Sequence, residues 1–215
     1  MALGVRIGLV FGALGTAICG VVVPPSDAAA RLCRPAGAKA LVTSTEGTVY
    51  KAGRSRDTTR YVACHGRRTK PIALGGADCF NAQAPSRFVI AGRWLAYVSL
   101  SCDTVSGSDT VIVVDLRTRK RRYQATATST PAAAADVYAG VERLLVVRAG
   151  DVAWVASYVP AQGRPRVYEV RRSTPTRNES ALLDSGSDVL ADSLAVSPGL
   201  VYWTRGAAPR SAPLR

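Results

Sequence analysis

Downstream of residue 38 the apolar positions fall into short runs of about four to seven residues, separated by polar or glycine-bearing breaks. Four times a glycine stands just ahead of such a run and the run carries an aromatic residue: Gly47 with Tyr50, Gly92 with Tyr97, Gly150 with Trp154, and Gly199 with Trp203. The aromatic recurs after 47, 57 and 49 residues, a period that suits a four-stranded unit repeated in a radial or stacked array. The runs predict strands at 39–44, 48–52, 60–65 and 70–74 in the first unit, and at 87–91, 94–100, 110–116 and 121–126 in the second. The third unit gives 143–148, 152–158, 166–171 and 180–184, and the fourth only 193–196, 201–204 and 211–214.

Segment 110–116 reads Thr-Val-Ile-Val-Val-Asp-Leu, β-branched and apolar on both faces, as expected of a strand enclosed between neighbouring sheets. The glycines of the connectors supply the positive φ of tight hairpins. The alanine run 131–135 reads as a linker and accounts for the long second interval. The fold class is therefore all-β: a propeller-like array of about four four-stranded antiparallel blades with the last incomplete, either a small closed ring or an open arc. The four aromatics, Tyr50, Tyr97, Trp154 and Trp203, are expected in the core between blades. The segment 31–35 is the one spare stretch that could complete the last blade as an added strand.

The first thirty residues carry a different signal. Residues 7–23 are uncharged and apolar, follow Arg6, and lead through Pro24, Pro25, Ser26 and Asp27 into Ala28-Ala29-Ala30. That pattern predicts a signal peptide over 1–30 with cleavage after Ala30, a secreted or extracytoplasmic location, and a β-propeller-like domain over 31–215. No later segment is apolar enough to span a membrane. Ile18 before Cys19 disfavours lipidation of that cysteine. Beyond the leader stand Cys33, Cys64, Cys79 and Cys102, an even number that reads as two disulfides in an exported chain. Three pairings are possible, and Cys33–Cys64 with Cys79–Cys102 ties the nearest repeats.

The net charge of +13 is almost all arginine, since the chain has four lysines among its 28 basic residues. With abundant alanine, valine and glycine this is the usage of a GC-rich bacterial genome, so basicity speaks of solubility and of attraction to anionic polymers rather than of nucleic acid. One run stands out: Arg117, Arg119, Lys120, Arg121 and Arg122 give five cations in six positions, on a hairpin that could bind an anionic surface polymer.

Two pieces resemble the propeller repeats of the TolB type. Residues 197–203 read Ser-Pro-Gly-Leu-Val-Tyr-Trp, and residues 113–120 read Val-Val-Asp-Leu-Arg-Thr-Arg-Lys. In those repeats a Ser-Pro-Asp-Gly turn opens a strand that ends in an aromatic, and a later strand closes with Asp-Leu-x-Thr-Gly before a basic residue. Here the aspartate of the first turn is missing and Arg119 replaces the glycine of the second. The resemblance implies an exported propeller serving as a binding platform, and it carries over no catalytic residue.

Catalytic chemistry finds little support in the chain. His65 is the single histidine and follows Cys64, so it offers neither a catalytic triad nor a metal site of recognisable spacing. No catalytic residue, metal ligand or cofactor is assigned. Asp184, Asp188 and Asp192 recur every fourth residue around Ser185-Gly186-Ser187, which reads as an inter-blade turn more than a calcium loop. The functional expectation is a non-catalytic exported binding or scaffold module that engages a protein or an anionic cell-envelope polymer. The alternative is an envelope-acting hydrolase using loop carboxylates such as Asp103 and Asp109. A third possibility is assembly with another copy across the incomplete blade edge at 211–214.

Overall fold

The structure, a computed structural model, describes residues 33–53, 59–66, 70–76, 84–100, 109–129, 139–176 and 180–215. Fifteen strands account for the described elements. Sheet I holds β1 (Lys39–Thr43), β2 (Gly47–Ala52), β3 (Arg60–His65) and β4 (Ile72–Gly76). Sheet II holds β5 (Ala84–Ala91), β6 (Trp94–Leu100), β7 (Asp109–Asp115) and β8 (Lys120–Thr126). Sheet III holds β9 (Gly140–Val146), β10 (Val152–Tyr158), β11 (Val167–Ser173) and β12 (Ala181–Gly186). Sheet IV has three strands, β13 (Val189–Ser197), β14 (Leu200–Arg205) and β15 (Ala208–Pro213). Each sheet is an antiparallel meander in chain order, and the described residues are nearly all β, as the short apolar runs predict.

The sheets pack face to face in sequence, and each interface has its own apolar core. Val49, Ala63, Ile72 and Leu74 of sheet I meet Leu95, Tyr97, Ile112 and Val114 of sheet II. The other face of sheet II, with Trp94, Ala96, Val98, Val111, Val113 and Tyr123, meets Val141, Leu144, Val152 and Trp154 of sheet III. Ala153, Val155 and Val170 on the far side of sheet III meet Leu194, Val201, Trp203 and Leu214 of sheet IV. Strands β6, β7 and β10 are thus buried on both faces, which is why their sequences are apolar without alternation. No core cluster among the described residues joins sheet IV back to sheet I.

A second regularity was invisible in the sequence. The first strand of every sheet bulges opposite the middle of its neighbour: at Leu41 in β1, at Arg87 and Phe88 opposite Tyr97 in β5, at Glu142 in β9, and over residues 191–194 opposite Trp203 in β13. The extra residues interrupt the ladder and bend these strands. Arg87 takes φ 48° to do so.

The aromatics of the second strands follow one rule. Tyr97, Trp154 and Trp203 all point at the preceding sheet. Tyr50 has no preceding sheet. It is half-buried, and the Arg34 guanidinium carbon lies 5.8 Å from its ring centroid. This corrects the expectation that Tyr50 sits between two blades: the covering group there is the N-terminal segment. Cys33 is disulfide-bonded to Cys64 on β3, while Cys79 and Cys102 lie outside the described residues.

The same bond overturns the expected closure by residues 31–35. Cys33 is held on sheet I, the described residues 33–35 pair with no strand of sheet IV, and that sheet stays three-stranded. Strand boundaries also differ from the expected 87–91 and 211–214. Strand β5 starts at Ala84 and includes Pro85, and β15 includes Pro209 and Pro213. Both are edge strands, where a missing N–H interrupts no ladder.

Candidate functional site

A concavity lies at one end of the interface between sheets II and III. It encloses about 530 Å³ and is lined by Arg93, Trp94, Arg122, Asp151, Pro175 and Arg215, with Ala149, Thr174 and Thr176 completing the wall. Each wall follows from a local feature of the chain. Arg93 and Trp94 come from the β5–β6 hairpin and the start of β6. The Trp94 ring is buried as part of the inter-sheet core, and the Arg93 guanidinium carbon lies 4.9 Å from its centroid. Arg93 Nε also stands 3.7 Å from the buried Asp115 carboxylate. Gly150 forms the turn before β10 with φ 92°, and a Cβ there would lie 2.6 Å from Trp94 and 2.7 Å from Pro175. Only glycine lets this turn close onto the indole.

The electrostatics of the groove are lopsided. Three arginines face one carboxylate, Asp151, which accepts from Arg215 Nε at 3.0 Å. Arg93 keeps a distant partner in Asp115. Arg122 makes no ion pair among the described residues. The groove therefore presents one guanidinium without an ion pair among the described residues, Arg122, beside two that are paired, together with the hydroxyls of Thr174 and Thr176, which are 3.1 Å apart. Such a fork-like donor set suits carboxylate, sulfate or phosphate oxygens.

The basic run predicted as a hairpin is one, between β7 and β8, but its five cations do not form a single patch. The Asp115 carboxylate accepts from the backbone N–H groups of Arg117 and Thr118 at 2.9 and 3.2 Å and fixes the turn. Arg119 sits at φ 63°, a conformation glycine adopts without strain, and its guanidinium donates to the Pro71 carbonyl of sheet I at 3.1 Å. Arg121 donates to Gln124. Arg117 is exposed at the tip and Lys120 begins β8. Of the run, Arg122 alone reaches the groove. Sequence reasoning missed Arg93, Asp151 and Arg215, which are 29 to 122 residues apart from it or from one another and carry no local signal.

A second, smaller concavity of about 430 Å³ lies along the first strands of sheets II, III and IV, lined by Arg87, Phe88, Glu142, Arg143, Leu144 and Asp192 among others. It is built from the bulges of β5, β9 and β13. Glu142 accepts from Ser157 Oγ at 2.6 Å and from Arg166 at 3.1 Å, and its backbone carbonyl accepts from Arg87 at 2.6 Å. Glu142 is thus a structural anchor for three elements.

The remaining candidates take up structural positions. Asp109 is buried at the start of β7, where its carboxylate accepts from Val141 N–H at 2.7 Å and ties sheet II to sheet III. This corrects the reading of Asp109 as a loop carboxylate available for hydrolysis. Asp103 lies outside the described residues. Asp184 and Asp188 grip Arg205 from two sides, at 2.8 and 3.1 Å, and Asp184 also accepts from Trp203 Nε1 at 2.7 Å. His65 ends β3 with Nε2 3.5 Å from Glu46. Among the described residues no group of three His, Cys, Asp or Glu side chains could hold a metal ion, and no helix is long and apolar enough to cross a membrane.

No family model matches this chain, and no curated protein matches it.

Proposed function

We propose that this chain is an exported, non-catalytic binding module of TolB-like propeller character whose site is the groove between sheets II and III, and whose ligand is an anionic polymer of the cell envelope. The observation that carries this reading is the set of three arginines around a 530 Å³ groove with a single carboxylate among them. Arginine binds carboxylate and phosphate oxygens in a bidentate manner, so a repeating polyanion gains both charge and geometry there. The disulfide between Cys33 and Cys64 supports an oxidising location. The hydrolase alternative loses support from Asp109, whose carboxylate already closes an inter-sheet hydrogen bond.

The test is a titration of the mature, oxidised chain with polygalacturonate and with polyphosphate, followed by calorimetry at 0.05 and 0.3 M salt. Binding is expected to weaken about tenfold or more in Arg122→Glu and in Arg93→Glu, and to be nearly unchanged in Lys51→Glu on exposed β2. Equal losses in all three variants would reduce the effect to bulk charge and refute the groove.

A further inference from the structure

We propose that the free face of sheet IV is a self-association surface, and that it pairs with the same face of a second copy of this chain. The cross-strand register defines that face. Leu190 lies opposite Thr204 and Pro209, Ala195 opposite Tyr202 and Ser211, and Ser197 opposite Leu200 and Pro213. Residues directly opposite one another share a face of the sheet, and the 3.5 Å approach of Ser197 Oγ to Tyr202 Oη agrees with this assignment. None of these rows carries a charged side chain, in a chain whose net charge is +13.

Among the described residues five large apolar side chains are exposed, and three of them, Leu190, Leu200 and Tyr202, belong to this one face at 51, 37 and 39% exposure. The corresponding face of sheets I, II and III is covered by the next sheet of the array. The free face thus continues an interface that the molecule makes three times within itself. Repeat arrays ordinarily end on a polar face, and a contiguous exposed apolar face marks a contact site.

The geometry also selects the mode of pairing. Strand addition to the edge is blocked. Leu214 N–H donates inward to the Gly199 carbonyl, so the odd residues of β15 direct their backbone groups outward. Two of those three outward positions are Pro209 and Pro213, which have no N–H to offer, and the Pro213 carbonyl is already taken by Arg172. Head-to-tail stacking on sheet I is blocked as well, because the disulfide-held segment from Cys33 and the Arg34 side chain cover that end. What remains is face against face about a two-fold axis, an isologous contact in which each copy presents the same residues. Its neutrality lets two cationic chains meet with their charges at the rim.

The area sets the strength. Strands about 4.8 Å apart with a rise of about 3.3 Å per residue give this three-stranded face a footprint of roughly 300 Å². That is well below the roughly 800 Å² per partner of a stable complex. The association is therefore weak and reversible, and it is sought at high protein concentration.

Sedimentation equilibrium of the mature oxidised chain from 10 µM to 1 mM, at low and high salt, decides the matter. The expected result is a monomer–dimer equilibrium that persists or tightens in high salt, since the contact is apolar. Tyr202→Lys and, separately, Leu200→Glu are expected to raise the dimer dissociation constant about tenfold or more. Leu182→Glu, an equally exposed leucine on sheet III, is expected to leave it unchanged. Both test positions are exposed, and circular dichroism confirms that each variant is folded. A chain that stays monomeric at 1 mM overturns the proposal. So does a dimer that survives both substitutions, or one that dissociates in high salt.

Discussion

Replacing Trp154 by alanine isolates the interaction that joins sheet II to sheet III. The indole is wholly buried, lies 6.3 Å from the Tyr123 ring, and donates from Nε1 to the Ala127 carbonyl at 2.8 Å. Truncating a fully buried tryptophan costs about 3–5 kcal/mol through lost transfer energy and the cavity left behind. The orphaned Ala127 carbonyl adds about 1–2 kcal/mol. Trp154→Ala should therefore lose about 5 kcal/mol, a large part of the 5–15 kcal/mol that holds a domain together. Trp154→Phe keeps an aromatic ring but loses the donor and part of the volume, so its cost should be about 2–3 kcal/mol. Tyr50→Ala provides the internal contrast. It occupies the same place in the first repeat, yet Tyr50 is half-buried under Arg34 with no preceding sheet, and about 1–2 kcal/mol is expected. Urea unfolding followed by far-ultraviolet circular dichroism measures all three. With a slope of about 2 kcal/mol per molar, Trp154→Ala should lower the midpoint by about 2 M and Tyr50→Ala by less than about 1 M. A Trp154→Ala shift below about 0.5 M, or equal shifts for the two alanine variants, would refute the claim that the repeat aromatics are the inter-sheet core.

Two further outcomes follow from the disulfide and the core. The Cys33–Cys64 bond closes a sequence separation of 31 residues, so Cys33→Ser with Cys64→Ser should cost about 3–4 kcal/mol in urea unfolding; a loss under about 1 kcal/mol would show that the N-terminal segment adds no constraint. Burial raises the Tyr97 pKa, with Arg121 pulling the other way. Below about pH 10 the phenol is neutral whether folded or unfolded. As pH rises further the unfolded chain loses this proton first, so the stability present below pH 10 declines toward the higher folded value. Urea midpoints measured from pH 8 to 11.5 should fall less steeply in Tyr97→Phe, and an unchanged slope would count against the phenol as a source of the alkaline loss.

Much of the architecture could be read from local spacing. The run Thr110-Val111-Ile112-Val113-Val114 can hardly be anything but a strand covered on both faces, and it became β7. The glycine-then-aromatic recurrence located the second strand of every sheet, because a hairpin needs positive φ and the inter-sheet space needs a large ring. Charge pattern marked the β7–β8 hairpin, yet it suggested one patch of five cations. In the folded chain Arg119, Arg121 and Arg122 go to sheet I, to Gln124 and to the groove. The reason is that consecutive side chains leave a strand or turn in different directions.

The strand segments 84–86 and 208–210 were not legible in the apolar runs, since only the pairing shows that Pro85 and Pro209 lie on edge strands, where a missing N–H interrupts no ladder. The groove was equally beyond local reading: Trp94, Asp151 and Arg215 come together only because sheet III stacks on sheet II and sheet IV on sheet III. Sequence alone determined that this chain forms short antiparallel strands in groups of three or four, since backbone preference and apolar runs act over a few residues. Tertiary structure decided which face each sheet buries, that a disulfide holds the segment at Cys33 on sheet I, that Leu190, Leu200 and Tyr202 of sheet IV are exposed, and where the arginines converge. Those outcomes depend on contacts between residues distant in the chain, whose short-ranged packing and hydrogen bonding exist only once the sheets have met.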